Sequence, residues 1–270
     1  MKNKRILITG IAGSVGQELA RQLYKKNKLY GVDVEEMRLH SLMNELKIPV
    51  RVGDIRNRET LRNIFDDFRP QIVFHAAAYK SVDMMEYVPE EAISTNVVGT
   101  LNVLDYAKIY SVEKFIFIST DKVVNATSIM GETKKLGETM TVNSGKGYTA
   151  VRFGNVLGSR GSLLEIWEKQ INENKAITVT DERMLRYFMT MEEAVSLVIE
   201  ASKIGEGGEV ICFDMKKPVR ILDLATRIAK ELRGDVEITG IRPGEQLEER
   251  LMTIEEEQRA IKKGKFFIIK

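Results

Sequence analysis

The sequence predicts an α/β protein built on a doubly wound parallel sheet, with a small C-terminal α+β region that caps one edge of the sheet. Short apolar runs alternate with stretches of helical periodicity through residues 1–153, which is typical of a parallel sheet with helices on both faces. After residue 153 the alternation is less regular. We therefore expect residues 154–270 to form mainly the cap, with some strands or helices returning to the sheet.

Composition excludes several classes of protein. The 270 residues are 43% hydrophobic and 30% charged, as in an ordinary globular protein. The net charge of +2 does not indicate a basic surface for binding nucleic acid or an anionic membrane. Cys212 is the single cysteine of the sequence, which fits a reducing, cytoplasmic location. With only two histidines besides, a His/Cys metal site is not expected. No apolar run is long enough to span a membrane, and the N-terminus lacks a signal-peptide pattern.

The chain opens with a strand, a glycine-rich turn and a helix. The apolar run Arg5–Thr9 leads into glycines at G-x-x-G-x-x-G spacing, and a helical pattern follows. Such a turn presents backbone N–H groups and a helix N-terminus to a pyrophosphate, and glycine permits the close approach. The segment therefore predicts a Rossmann-type dinucleotide site. The expected cofactor contacts in it are Gly10, Gly13, Ser14, Val15 and Gly16.

Asp33 is the expected ribose-binding carboxylate. It follows the second predicted strand, Lys28–Val32, and lies 23 positions after Gly10, close to the usual spacing of about 20. Its alternative role is the N-cap of the helix predicted next. Acidic rather than basic residues follow it, and a 2′-phosphate would meet unpaired acid there, so we expect NAD rather than NADP.

The alternation continues through two further strands. Pro49–Val52 precedes Asp54 and Ile55, and Gln71–His75 precedes Ala76–Ala78. We expect these five loop residues to contact the cofactor. For the three alanines the reason is that small residues after a strand leave room for a ring or a ribose. Tight helix–sheet packing explains the alanines equally well, and His75 is expected to be a core residue. The predicted helices of this half are Glu35–Leu46, Arg58–Phe68 and Pro89–Tyr110.

The stretch Ser119–Glu138 is the centre of the predicted site. It follows the buried strand Phe115–Ile118 and begins with a hydroxyl, an acid and a base, Thr120, Asp121 and Lys122. In an open α/β sheet, ligands bind at the edge where parallel strands end. These three side chains are therefore candidate catalytic residues. A solvated turn that holds a charge pair is the alternative.

The cap contains three arginines in turn-like loops, Arg160, Arg186 and Arg242. Together they would suit an anionic ligand such as a diphosphate. For each one alone, a surface salt bridge is the better explanation.

Six stretches along the chain resemble one known family. They are TGIAGSVG at 9–16, HAAAYKSVDMME at 75–86, STDKVVNATSIMGETKKLGE at 119–138, VRFGNVLGSRGS at 151–162, RYFMT at 186–190 and RPGE at 242–245. They resemble the extended short-chain dehydrogenases/reductases that act on nucleotide sugars, and more narrowly the bacterial UDP-N-acetylglucosamine 4,6-dehydratases of polysaccharide and glycan biosynthesis. The resemblance implies bound NAD in the first domain, a UDP-sugar in the cap and a homo-oligomer. The substrate contacts that it implies are Lys80, Asn155, Arg160, Arg186, Arg242 and Glu245.

The chain departs from the superfamily at the catalytic Tyr-x-x-x-Lys pair. Met130 stands at the tyrosine position, with Lys134 in place one helical turn later. This is similar to one branch of the dehydratases, many of whose members are membrane-anchored, and the chain resembles their catalytic domain without the anchor. A thioether has no proton to exchange, so Met130 cannot be the base for the sugar hydroxyl.

The resemblance implies a dehydration in which NAD takes a hydride from sugar C4 and returns it at C6. Lys122, held neutral by burial and by Lys134, would remove the C5 proton, and Asp121 would protonate the departing C6 hydroxyl. Thr120 would bond the C4 oxygen, and Lys134 would hold the nicotinamide ribose. The Met130 branch implies retention at C5.

Three other functions stay open on the sequence alone. A dehydratase of this family can also epimerise at C5 or C3. A nucleotide-sugar 4-epimerase would leave the C6 oxygen in place. A catalytically inactive NAD-binding sensor would explain the lost tyrosine, but it would have no use for Asp121 and Lys122.

Overall fold

The computed structural model describes residues 1–232 and 234–270. Among these residues, nine strands form the main sheet, in the order β14-β15-β11-β6-β5-β4-β1-β2-β3, and six more strands pair as β7 with β10, β8 with β13 and β9 with β12. The strands are β1 (Arg5–Thr9), β2 (Lys28–Asp33), β3 (Val50–Val52), β4 (Ile72–His75), β5 (Lys114–Ile118), β6 (Tyr148–Arg152), β7 (Asn155–Val156), β8 (Ile177–Val179), β9 (Leu185–Arg186), β10 (Phe188–Met189), β11 (Glu209–Phe213), β12 (Val219–Arg220), β13 (Val236–Ile238), β14 (Ile261–Lys263) and β15 (Phe266–Ile269).

The described residues contain eleven α-helices, which lie on the two faces of this sheet and, for α8 and α10, in a separate small lobe. They are α1 (Ser14–Leu23), α2 (Glu36–Leu46), α3 (Arg58–Phe68), α4 (Val82–Tyr87), α5 (Pro89–Ala92), α6 (Thr100–Ile109), α7 (Ile129–Val142), α8 (Leu163–Asn172), α9 (Met191–Ile204), α10 (Ile221–Leu232) and α11 (Ile254–Arg259). In β1, Ile6 and Ile8 belong to a core shared with α1, α2 and α9, while Leu7 belongs to the opposite core with α3 and α6. This alternation is what a strand buried on both sides requires. The predicted doubly wound fold is confirmed.

The C-terminal part of the chain divides between the main sheet and a separate small lobe. Strand β11 extends the parallel sheet beside β6, and β15 and β14 add an antiparallel edge. The small lobe has its own core, in which Trp167 packs with Ile177 and Ile221. Residue 153 is therefore not a boundary of the sheet, although the lobe lies wholly after it.

Two features of the helices were not predicted. Helix α4 follows β4, and the predicted helix Pro89–Tyr110 contains a π-helical segment, Ile93–Gly99, between α5 and α6. Within that segment Asn96 is buried, accepts a hydrogen bond from Tyr79 N at 2.8 Å and donates to Tyr79 O at 3.0 Å. The segment thus ties the helix to the loop after β4. Such π-helical insertions are frequent at functional sites.

His75 is a core residue, as predicted. It is 1% exposed, and its ring nitrogens lie 2.6 Å from Thr9 Oγ1 and 2.9 Å from Thr100 Oγ1. Burial, with a smaller effect from Lys134, lowers the pKa of His75 to about 3. The imidazole is therefore neutral at physiological pH.

Candidate active site

A cleft of about 1220 Å³ lies where the parallel strands end, between the sheet and the small lobe. All of the predicted cofactor and substrate contacts line it, as do Thr120, Lys122, Met130 and Lys134. Asp121 is the exception, because its side chain is wholly buried and does not reach the cleft surface. The binding roles of these residues stay predictions, but the fold brings them to one place.

The glycine turn packs directly on the loop after β4. Gly10 has a φ of +70°, and a Cβ there would lie 2.5 Å from Ala77 N. Both the left-handed backbone and the contact require glycine. The loop Ala76–Ala78 therefore lies against the turn, and helix α1 starts beside them at Ser14. Backbone N–H groups and a helix N-terminus in this arrangement would suit a phosphate group, and this role stays a prediction.

Asp33 lies at the end of β2 and holds the glycine turn in place. Its Oδ2 accepts a hydrogen bond from Ala12 N at 2.9 Å, and its Oδ1 accepts one from Glu35 N at 3.1 Å. The N-cap of α2 is Glu35, so the capping role considered for Asp33 is wrong. The Asp33 carboxylate lines the cleft where a ribose hydroxyl could bind.

Asp121 and Lys122 form a short turn directly after β5. Lys122 Nζ donates to Asp121 Oδ1 at 3.0 Å, and the Thr120 hydroxyl lies 3.0 Å from the same oxygen. Asp121 Oδ2 is buried and has no hydrogen-bond partner among the described residues. A Cβ at Gly154 would lie 2.9 Å from this oxygen, so a side chain there would crowd it.

Sequence reasoning missed a second carboxylate beside Lys122. Glu249 Oε1 lies 3.1 Å from Lys122 Nζ and 3.2 Å from Arg186 Nε, and Asn155 Nδ2 donates to Glu249 Oε2 at 3.3 Å. Glu249 lies in an irregular segment shortly after Glu245, with no periodic pattern that would mark it as buried. Only the tertiary fold brings it to the pair.

These charges decide the protonation of the cluster. Burial raises the pKa of Asp121 to about 6; the Glu249 charge adds to this and Lys122 opposes it. Burial alone would lower the pKa of Lys122, but Asp121 and Glu249 outweigh it, so that this pKa is raised. The expectation that burial and Lys134 keep Lys122 neutral is therefore wrong. Burial alone would raise the pKa of the Glu249 carboxyl, but the charges of Lys122 and Arg186 outweigh it, so that this pKa is lowered.

Helix α7 places Met130 and Lys134 along the cleft. Ser128 caps the helix by accepting a hydrogen bond from Gly131 N at 3.1 Å. Met130 is 2% exposed and packs with Met85 and Ala92. Lys134 Nζ donates to Ile118 O at 2.5 Å, and burial lowers its pKa to about 7, against the opposing charge of Glu138.

The three arginines differ in burial and partners. Arg186 is buried at the floor of the cleft, where it pairs with Glu249. Arg160 and Arg242 are half exposed at the rim and pair with Glu35 at 3.3 Å and Asp83 at 3.8 Å. Salt bridges therefore account for both rim arginines in this structure, and a role in anion binding stays a prediction for all three.

The sequence profile of the family described as "polysaccharide biosynthesis protein" matches residues 6–270. Over 274 residues the chain is 41% identical to the capsular polysaccharide biosynthesis protein CapD of Staphylococcus aureus, covering 93% of this chain and 45% of that protein. The chain thus spans less than half of that relative. No helix in the described parts of the chain is long and apolar enough to cross a membrane.

Other relatives carry two different enzyme names. The chain is 36% identical to a Campylobacter jejuni protein named UDP-N-acetylglucosamine 4,6-dehydratase (inverting), with coverages of 91% and 76%. It is 34% identical to a Rickettsia bellii protein named UDP-glucose 4-epimerase, with coverages of 99% and 83%.

The fold agrees with a solved structure of a relative. The X-ray structure of Pen from Bacillus thuringiensis has a TM-score of 0.93 at 35% identity and covers 99% of this chain and 88% of that one. The family match spans nearly the whole chain. The chain belongs to the polysaccharide biosynthesis protein family of extended short-chain dehydrogenases/reductases.

Proposed function

We propose that the protein is an NAD-dependent 4,6-dehydratase that converts UDP-N-acetylglucosamine to the UDP-2-acetamido-2,6-dideoxy-4-keto sugar, with retention at C5. The observation that carries the proposal is the Asp121–Lys122 pair beside the cleft, with a side chain at position 130 that cannot exchange protons. Eliminating water across C5 and C6 needs a base and an acid. This pair can supply both.

The residues present fit a bound NAD. The Gly10 turn would hold the pyrophosphate, Asp33 the adenosine ribose and Lys134 the nicotinamide ribose. When bound, NAD would supply a place for the C4 hydride until its return to C6. Asp33 would repel a 2′-phosphate, which favours NAD over NADP. Glu35 beside it is already paired with Arg38 at 2.7 Å and Arg160 at 3.3 Å, so the preference rests on Asp33.

The pair can reach its working state by an internal proton transfer. Moving one proton from the Lys122 ammonium to the Asp121 carboxylate, 3.0 Å away, produces a neutral amine and a carboxylic acid without any outside partner. The amine can then take the C5 proton. The transfer is uphill, because the pKa of Lys122 is raised above its ordinary value whereas burial brings that of Asp121 to about 6, so that the neutral amine is a minor form through which the reaction would pass.

Thr120 offers a route from Asp121 to the substrate. The Asp121 carboxyl does not line the cleft, whereas the Thr120 hydroxyl does and lies 3.0 Å from Asp121 Oδ1. The proton would pass through this hydroxyl to the departing C6 oxygen, which leaves as water. Lys122, now an ammonium, would return its proton to the same face of C5, and configuration would be retained. The proton released from the C4 hydroxyl when C4 is oxidised would pass to a water, and an equivalent proton taken up from water would restore the Lys122 ammonium after each turnover.

A 4-epimerase is the second candidate, because relatives of similar identity carry that name. The two functions differ in product mass, since a dehydratase product is lighter by one water and an epimer is not. Incubation with NAD and UDP-N-acetylglucosamine followed by mass spectrometry separates them. An NAD-binding sensor would bind both molecules and convert neither.

The homo-oligomer also stays a prediction. Light scattering on the eluting peak of a sizing column measures it directly, and a monomeric mass at working concentration would contradict it.

A further inference from the structure

We propose that Glu249 is a positioning residue of the dehydration: its carboxylate, fixed by Arg186 and Asn155, holds the Lys122 amino group at the cleft and places a second negative charge beside Asp121. This inference rests on the proposed function. It assigns a role to a buried acid that the acid–base steps above do not use.

The position of Glu249 is fixed from three sides. Its carboxylate is bonded to Lys122, Arg186 and Asn155 at 3.1, 3.2 and 3.3 Å, and its side chain is 5% exposed. Arg186 is itself anchored, since it donates to Gln246 O at 2.7 Å. A buried carboxylate with this many partners is held rigidly.

Glu249 determines where the Lys122 amino group lies. The ammonium is shared between Asp121 at 3.0 Å, which is wholly buried, and Glu249 at 3.1 Å, which lines the cleft. With Asp121 alone, the lysine would be drawn toward the interior. The second carboxylate keeps it facing the space where C5 of the sugar would lie.

Glu249 also affects the charge of the pair. The cluster contains two carboxylates, Asp121 and Glu249, and two cations, Lys122 and Arg186. One proton can move between Lys122 and Asp121 while Glu249 and Arg186 both remain charged. Ionisable groups that face the cluster include Glu245, 3.7 Å from Arg186, and Tyr187, whose pKa burial and nearby acids raise. Lys80 also faces it, and its pKa is lowered mainly by burial and in smaller part by the charges of Arg160 and Lys122. Without the Glu249 charge, both Asp121 and Lys122 would titrate at lower pH.

The variant Glu249→Gln tests this role, because glutamine keeps the size and one acceptor oxygen but removes the charge. Glu248→Gln is the matched control, since Glu248 is the neighbouring residue and is exposed. We expect Glu249→Gln to bind NAD and the sugar nucleotide with little change and to lose kcat by about tenfold or more, because the Lys122 amino group is no longer held where it reaches C5. The acid limb of its kcat profile moves to lower pH, whereas the limb of Glu248→Gln does not move.

A measurement that needs no turnover separates this inference from the proposed function. In protein labelled with ¹³C at aspartate carboxyls, the resonance missing from Asp121→Asn identifies Asp121. We expect a midpoint of about 6 in the wild type, and a midpoint lower by about one pH unit in Glu249→Gln. An unchanged midpoint, or a kcat lowered equally at every pH, would overturn the role of Glu249. A shifted midpoint in a protein that releases no water would reject the dehydratase and leave the coupling between Glu249 and Asp121 intact.

Discussion

Lys122 Nζ lies 3.0 Å from Asp121 Oδ1, and the aspartate is wholly buried while the lysine reaches the cleft. A proton can therefore pass between the two side chains without leaving the protein. In the proposed reaction, Lys122 would face the substrate and Asp121 would hold the proton. The first two predictions follow from this pair and from the inert side chain near it.

Removing either member of the pair should stop turnover while binding persists. We expect Asp121→Asn and Lys122→Ala each to lower kcat by about 10²-fold or more, the scale of general acid–base catalysis, because the acid or the base is then absent. Cofactor and sugar-nucleotide affinities, measured by calorimetry, should change little. Near-normal turnover in Lys122→Ala would show that another group takes the C5 proton.

Met130 should be dispensable for proton transfer. We expect Met130→Leu to keep kcat within a few-fold of the wild type, because the exchange conserves volume in a buried site and removes no exchangeable proton. Met130→Ala should lower stability more, since it leaves a cavity against Met85 and Ala92. Steady-state rates and thermal melts measure the two effects. If Met130→Leu lowered kcat as much as Lys122→Ala does, the thioether would have a catalytic role.

Asp33 should set the cofactor preference. The wild type is expected to bind NAD more tightly than NADP, because the Asp33 carboxylate would face an added 2′-phosphate. The variant Asp33→Ser should bind NAD less tightly and should show a smaller difference in affinity between NAD and NADP. Titration of each cofactor into purified protein measures both affinities. The control is Glu36→Ser, because Glu36 is an exposed acid on α2. Tighter binding of NADP by the wild type would refute the assignment.

The buried His75 should make stability depend on pH. Its pKa of about 3 in the folded protein lies below the ordinary value of 6.5, so the unfolded chain takes up the proton first as the pH falls. The stability associated with neutral His75 is present above pH 6.5 and is lost toward pH 3. Between about pH 7 and about pH 5 the loss should be about 2 kcal/mol. Urea unfolding at both pH values should show a smaller loss for His75→Gln, and equal losses in both proteins would contradict the account.

The sequence predicted the sheet and the cleft because both depend on local patterns. Alternating apolar runs mark β1, β2, β4 and β5, and the glycine turn is contiguous, so that all of these can be identified without knowing the tertiary fold. The positions of the residues along the cleft then follow from the rule that ligands bind where parallel strands end.

The charge of Lys122 could not be predicted in the same way. It depends on Glu249, which comes from a distant irregular segment and whose burial no periodicity marks. The π-helical segment around Asn96 was missed for a similar reason, because its backbone departs from regular geometry to meet Tyr79, a tertiary contact. The return of β11 and β15 to the sheet is also set by long-range pairing.

The most direct test of the central claim is the reaction itself, run in deuterated water with NAD and UDP-N-acetylglucosamine. Mass spectrometry and NMR of the first product should show loss of one water, deuterium at C5 and ring coupling constants of the α-D-xylo configuration. A product with no loss of water would identify an epimerase and contradict the account. A first product with the L-arabino pattern would keep the dehydration and contradict retention at C5.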